Sequence, residues 1–259
     1  MQRFPATRSA LNATIVLFAA AVPTVTLAQQ PPSDAWQFEA TPYLWAAGMS
    51  GWSRIGARTP TSNVDVGFSD VWRALNFGAM GTFEARKGRW GIIVDGVYVK
   101  LSDTSDPLLN GQLGTVRLKM TQTVLQAAGA YRVLDSPVTP IDVLAGVRYT
   151  YLHGDLSYSG GPLLPNGASR NNSTDWTDGF IGLRAAYAFS EKWSVFGYAD
   201  AGTGGTKHSW QLIAGADYNF TKTIAAKIGY RILSMDYEKP NFLYNMKTEG
   251  FFAGVSFKF

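Results

Sequence analysis

Phe251-Phe252-Ala253-Gly254-Val255-Ser256-Phe257-Lys258-Phe259 closes the chain, and its alternation decides the fold. Phe251, Ala253, Val255, Phe257 and Phe259 share one parity, and Phe252, Gly254, Ser256 and Lys258 share the other. A period of two puts successive side chains on opposite faces of a β-strand. One face is then broad and apolar, the other small, polar or charged. The preceding segment repeats the scheme, with Ile224, Ala226, Ile228, Tyr230 and Ile232 opposite Ala225, Lys227, Gly229 and Arg231. Further back, Trp210, Leu212, Ala214 and Ala216 oppose Gln211, Ile213, Gly215 and Asp217. Ile181, Leu183, Ala185 and Tyr187 oppose Gly182, Arg184, Ala186 and Ala188.

Reading outward from these segments gives an all-β chain of about ten strands. They lie near 36–48, 75–86, 90–102, 115–133, 140–152, 176–189, 193–202, 209–220, 223–235 and 248–259. The count falls to eight if weak strands merge, and rises to twelve if Asn63 to Phe68 adds a hairpin. One helix-like piece interrupts them, Ser69 to Leu75, with Ser69 placed to cap a single turn. Long connections near 49–74, 103–114, 153–175, 203–208 and 236–247 alternate with short ones at 87–89, 134–139, 190–192 and 221–222. That asymmetry fits a transmembrane antiparallel up-and-down barrel, with short periplasmic turns and longer extracellular loops. An even strand count returns both termini to the periplasmic side.

Composition supports a barrel in lipid. Charged residues are 16% of the chain and apolar ones 46%, against roughly 25% charged in a typical soluble domain. No apolar run reaches the ~20 residues of a spanning helix, but a closed barrel crosses without one. Charge on a lipid-facing strand surface costs roughly 2–4 kcal/mol at midplane, so the charged face should point inward. Trp90 and Trp193 follow short turns, and Tyr131, Phe189 and Phe220 closely precede them. These five rings then form an aromatic girdle at one membrane interface. The strand near 115–133 alternates poorly, although Gln122, Val124 and Gln126 share a parity. Its first half is expected to rise above the membrane.

The first 28 residues read as a signal peptide: Arg3 and Arg8, an apolar run from Ile15 to Ala21, and a small-residue site at Thr26-Leu27-Ala28. Residues 29–35 then form a short periplasmic segment and 36–259 the barrel. Without Arg3 and Arg8 the net charge of +4 falls to +2, too little for a nucleic-acid partner. The chain has no cysteine, so neither a disulfide nor a lipid anchor on a processed cysteine is available.

The ending Gly254-Val255-Ser256-Phe257-Lys258-Phe259 resembles the C-terminal signal of bacterial outer-membrane proteins. The resemblance assigns Gly254, Phe257 and Phe259 to an assembly signal and implies recognition by the barrel-assembly machinery. Phe252 departs from it, since a polar residue is usual two before the glycine. Gly146-Val147-Arg148-Tyr149, Gly182-Leu183-Arg184-Ala185, Gly229-Tyr230-Arg231-Ile232 and Pro42-Tyr43-Leu44-Trp45-Ala46-Ala47-Gly48 resemble the OmpA-like barrel superfamily. This implies a monomer in the cell outer membrane, among outer-membrane lipid and lipopolysaccharide, with no peptidoglycan-binding domain.

The inward rule selects eleven lumen charges: Glu39, Glu84, Asp95, Asp142, Arg148, Asp178, Arg184, Asp200, Asp217, Lys227 and Arg231. A ten-stranded barrel is narrow enough for side chains to fill, and unpaired buried charges cost several kcal/mol. The expectation is a lumen plugged by ion pairs, in a protein with a structural or surface-contact role. The alternative is a narrow channel in which those charges select small solutes. A lipid-modifying enzyme or protease is the third reading, and it is the least supported. His153 has only Asp155 to orient it, and His208 and Ser209 point to opposite faces. No metal or cofactor constellation is visible.

Overall fold

The computed structural model describes residues 35–55, 61–105, 114–162, 165–240 and 242–259. The signal-peptide reading and residues 29–34 lie outside them. The strands are β1 (Gln37–Ile55), β2 (Ser62–Val66), β3 (Leu75–Lys87), β4 (Trp90–Thr104), β5 (Val116–Leu134) and β6 (Ile141–Tyr158). They continue as β7 (Ala168–Ala188), β8 (Trp193–Gly204), β9 (His208–Asn219), β10 (Ile224–Lys239) and β11 (Phe242–Lys258). β3 to β11 pair antiparallel in chain order, and β1 joins β11 to β3, closing a ten-stranded barrel. β2 is an eleventh strand added to β1.

The short turns fall where the sequence places them. At Lys87-Gly88-Arg89, Gly88 takes a φ of 56°, a conformation that glycine adopts without a Cβ penalty. Two expected loops are instead strand. β6 continues to Tyr158 and β7 begins at Ala168, so most of 153–175 is paired. β10 and β11 pair from Lys239 and Phe242 downward, so 236–247 is a hairpin. Backbone groups above the membrane keep satisfying one another along the ladder. The side chains there lose the apolar-out pattern that marked strands in the sequence.

The expected cap at Ser69 is also corrected. Ser69 lies inside the helix α1 (Phe68–Ala74), and Gly67 is its N-cap, with no side-chain capping bond. The Gly67 carbonyl accepts the N–H groups of Asp70 and Val71, both at 3.1 Å.

α1 marks an irregular seam in the wall. β1 pairs with β3 only over Gln37–Pro42 and Gly81–Arg86. Higher up, β2 replaces β3 beside Met49–Ser53. Between the two, the Trp45 N–H donates to Met80 Sδ at 3.3 Å rather than to a ladder carbonyl. Open sheet edges are not tolerated against lipid. α1 packs beside β1 and β4 at this break, and the backbone at Val66–Phe68 lies so close to Gly48 that a Cβ there would come 2.9 Å from the Val66 carbonyl oxygen.

Apart from irregularities at Leu75/Phe77 and Arg132/Leu134, parity is constant along the strands, but the outer surface changes. On β4, Trp90, Ile92, Val94, Gly96 and Tyr98 face out, followed by Lys100. The eight residue steps from Trp90 to Tyr98, at about 3.3 Å each and tilted by about 40°, give a band about 20 Å tall, near the ~25 Å of membrane barrels. Exposed Leu125, Val147, Ile181, Leu183, Leu212, Ile228 and Phe251 belong to this band. Beyond it the outward parity carries Arg117 and Lys119 on β5, Asp155 on β6, Asp175 on β7, and Asp236 and Glu238 on β10.

Candidate functional site

The inward faces build the lumen in three levels. All eleven charges selected by parity point into it, but they do not behave alike.

At the short-turn end lies a chamber of about 750 Å³. Its paired charges sit on seven strands, β1, β3, β5, β6, β7, β9 and β10. Arg184 grips Glu84 with two bonds, 2.7 and 2.9 Å, and reaches Asp142 Oδ2 at 2.7 Å. Asp142 also receives Arg86 Nη2 at 3.0 Å and Arg132 Nε at 2.9 Å. Lys227 Nζ lies 3.2 Å from Glu39 and 3.9 Å from Asp217. Charge-assisted bonds of this kind are roughly twice as strong as neutral ones.

Above the chamber a polar belt crosses the barrel. Arg148 is wholly buried. Its Nη2 bonds both Asp200 oxygens at 2.7 and 2.6 Å, its Nη1 reaches Ser209 at 3.2 Å, and its Nε donates to Gln126. Its guanidinium lies 5.1 Å from the Phe180 ring, a cation–π distance. Arg231 approaches from β10. It donates to Gln211 at 2.8 Å, Tyr43 Oη at 2.6 Å and Asp95 at 2.9 Å. Asp95 also accepts bonds from Tyr43 and Thr82, at 2.7 and 2.9 Å. Asp200 accepts bonds from Tyr198 and Gln211, at 2.6 and 3.1 Å. The two arginines thus tie β1, β4, β5, β6, β8, β9 and β10 across the interior.

Asp178 differs from the others. It is fully buried, it accepts the Thr206 N–H at 2.8 Å, and no cation pairs with it among the described residues. Its Oδ2, the Trp176 indole nitrogen and the Thr206 hydroxyl have no hydrogen-bond partner. The expectation that every lumen charge is paired is corrected at this position.

The third level corrects a second expectation, that the inward face is polar or small throughout. Trp45, Val97, Val124, Leu152, Trp176, Leu233, Met235, Tyr237, Tyr244 and Met246 form a buried apolar cluster above the belt. Trp176 stacks on Tyr237 with centroids 4.3 Å apart. Outward charge at this height lets water surround the wall, so the apolar stripe faces inward as in a soluble barrel.

The five girdle residues Trp90, Tyr131, Phe189, Trp193 and Phe220 sit at the short-turn end. Trp90 packs on Tyr131 at 4.8 Å, and Trp90, Phe189, Trp193 and Phe220 are exposed. Trp36 and Phe259, exposed at the same end, extend the girdle beyond the five rings expected from the sequence. In the C-terminal segment, Phe257 and Phe259 face out, and Phe259 exchanges backbone bonds with Phe38 at 2.9 and 3.0 Å where the barrel closes. A Cβ on Gly254 would come 2.8 Å from the Pro42 carbonyl oxygen. The unusual Phe252 points inward over Gly229, where a Cβ would come 2.8 Å from its ring.

Sequence reasoning missed Arg86 and Arg132, which share parity with Glu84 and Gln126 but stand beside turns where the expected strands run out. It also missed the tyrosines. Tyr43 and Tyr198 share the inward parity and reach Asp95 and Asp200.

No protein-family model and no curated sequence matches the chain. Among solved structures, the outer membrane protease OmpT from Escherichia coli superimposes with a TM-score of 0.54 at 11% identity, over 90% of this chain and 99% of that one. This chain has the fold of a bacterial outer-membrane barrel. The transport unit of the autotransporter AIDA-I from Escherichia coli gives 0.43 at 9% identity, over 92% of this chain and 94% of that one. Ail, the attachment invasion locus protein of Yersinia pestis, gives 0.36 at 13% identity, over 86% of this chain and 99% of that one. At these identities the likeness is one of fold. For the barrel described here, function rests on its own lumen and surfaces.

Proposed function

We propose that this chain is an integral protein of the bacterial outer membrane, exported through the periplasm, whose lumen is closed and whose role is structural or surface contact. The carrying observation is Arg148. A guanidinium with no exposed surface, bonded to residues of β5, β8 and β9, leaves no aqueous path beside it. The apolar cluster above adds a second, dry closure. The girdle and outward apolar band suit outer-membrane lipid, and the charged strand extensions suit lipopolysaccharide headgroups. The C-terminal segment suits recognition by the assembly machinery, and the closed sheet supports a monomer. OmpT is a protease, but fold likeness at this identity does not carry an activity across. His208, 3.9 Å from Asp236 on the exposed surface, has no positioned nucleophile among the described residues, and we read the protein as non-catalytic.

The test is conductance in planar bilayers, with heat-modifiable gel mobility as the check on folding. The folded protein should give a flat trace. Discrete current steps would overturn the closed lumen and favour the solute-channel reading.

A further inference from the structure

The belt turns the chamber below it into a blind pocket, open at the short-turn end. Residues from every side of that mouth line it, including Gln37, Pro140, Lys222 and Phe259. Its volume of about 750 Å³ falls in the 300–1,000 Å³ range of small-molecule sites. The lining is unbalanced. Below the Asp95–Arg231 pair, six cations (Arg86, Arg132, Arg184, Lys222, Lys227 and Lys258) face four carboxylates. Three of the cations converge on the one carboxylate of Asp142. Arg132 and Arg184 keep 21% and 25% of their side chains exposed and line the chamber. Arg86 behind them is 8% exposed, and its buried Nη1 has no hydrogen-bond partner. An unsatisfied buried donor is costly, and it is worse on a charged group. Phe180, Phe196 and Phe252 add ring faces to the same walls.

We propose that this chamber binds a small organic anion, a carboxylate or phosphate on an aromatic or similarly flat apolar body, entering from the periplasmic side. The excess positive charge draws the anion in. The anion head would meet the guanidinium cluster around Asp142, where Arg132 and Arg184 present the accessible donors. The apolar body lies against the phenylalanine rings. The inference rests on the closed-lumen reading, because only a sealed floor makes the chamber a pocket rather than a passage.

The probe is 4-(trifluoromethyl)benzoate, followed by fluorine NMR against the full barrel in lipid nanodiscs. The expected result is a saturable shift, absent from empty nanodiscs and absent with 4-(trifluoromethyl)benzylamine. Arg132→Gln should weaken binding about tenfold, the effect of losing a charge-assisted bond. Should that variant fail to fold, Ala186→Trp carries the test. Ala186 lines the chamber near its mouth and makes no ion pair, and an indole there should abolish the shift. A shift that never saturates, or one that the amine or Ala186→Trp reproduces, overturns the proposal. Conductance of the same sample separates the two readings. Current steps with saturable binding overturn the sealed floor alone, and a flat trace without binding overturns the chamber alone.

Discussion

Strand β10 crosses two environments without changing its parity. From Ile224 to Ile232 the apolar residues face out, and Lys227 and Arg231 face in. From Leu233 to Tyr237 the apolar residues face in, and Ser234 and Asp236 take the outer positions. The lower half of the barrel is inside-out and the upper half is arranged like a soluble protein. The backbone is continuous, so only the solvent outside the wall distinguishes them. The same strand thus obeys one rule, apolar surface away from water, with opposite results at its two ends.

The comparison breaks most severely at the belt, where polar and apolar interiors meet. Arg148→Ala leaves the Asp200 carboxylate buried beside Gln211 and Tyr198 with no cation. Removing one partner of a buried ion pair costs about 3–5 kcal/mol. We expect a loss of that size in urea unfolding of the lipid-reconstituted protein. A shift of under 1 kcal/mol would mean that water already reaches the belt, and the sealed lower half would fail with it.

A second pair of substitutions tests the outer surface. Ile228 and Ser234 share the outward parity of β10. Ile228→Lys places an ammonium in the lipid band and should cost about 2–4 kcal/mol, whereas Ser234→Lys should cost about 0–1 kcal/mol. The difference is read from unfolding midpoints in the same vesicles. Equal costs would remove the boundary drawn between the two halves.

That boundary explains what the sequence disclosed. The lower half was legible because lipid outside enforces a strict alternation, as in Ile224 to Ile232. Parity alone then pointed all eleven charged side chains inward. Across the boundary the alternation persists, but its polarity inverts. Leu233, Met235 and Tyr237 keep the inward parity, yet a search for apolar-out strands stops at them. Residues 153–158 and 168–175 read as loop for the same reason, being polar on their outer face. Parity also reports only direction. The reach of Arg231 to Tyr43 and Asp95 depends on which strands stand across the lumen, and that is a property of closure rather than of any one segment. The seam at β1 and β3 was hidden more deeply, since Trp45 and Met80 meet only because β2 and α1 displace the ladder.

The smallest expected effect belongs to Asp178, and it sharpens the comparison further. This carboxylate sits beside the upper apolar cluster. Trp176, two residues away on the same face, belongs to that cluster. Arg148 stands opposite Asp178 in the β6–β7 register, but the bonds of that arginine go to Gln126, Ser209 and Asp200. Asp178→Asn keeps an oxygen to accept the Thr206 N–H and removes a charge to which no described cation is bonded. The change should be within about 1 kcal/mol of zero, and stabilisation is allowed, because the desolvation of an unpaired ion is avoided. Urea unfolding beside Asp200→Asn gives the contrast. Asp200 holds Arg148, so the same chemical change there should approach the Arg148→Ala loss. If the two asparagine variants lost equal stability, Asp178 would have to be compensated within the lower network. The line between the polar and the apolar interior would then have to move up past it.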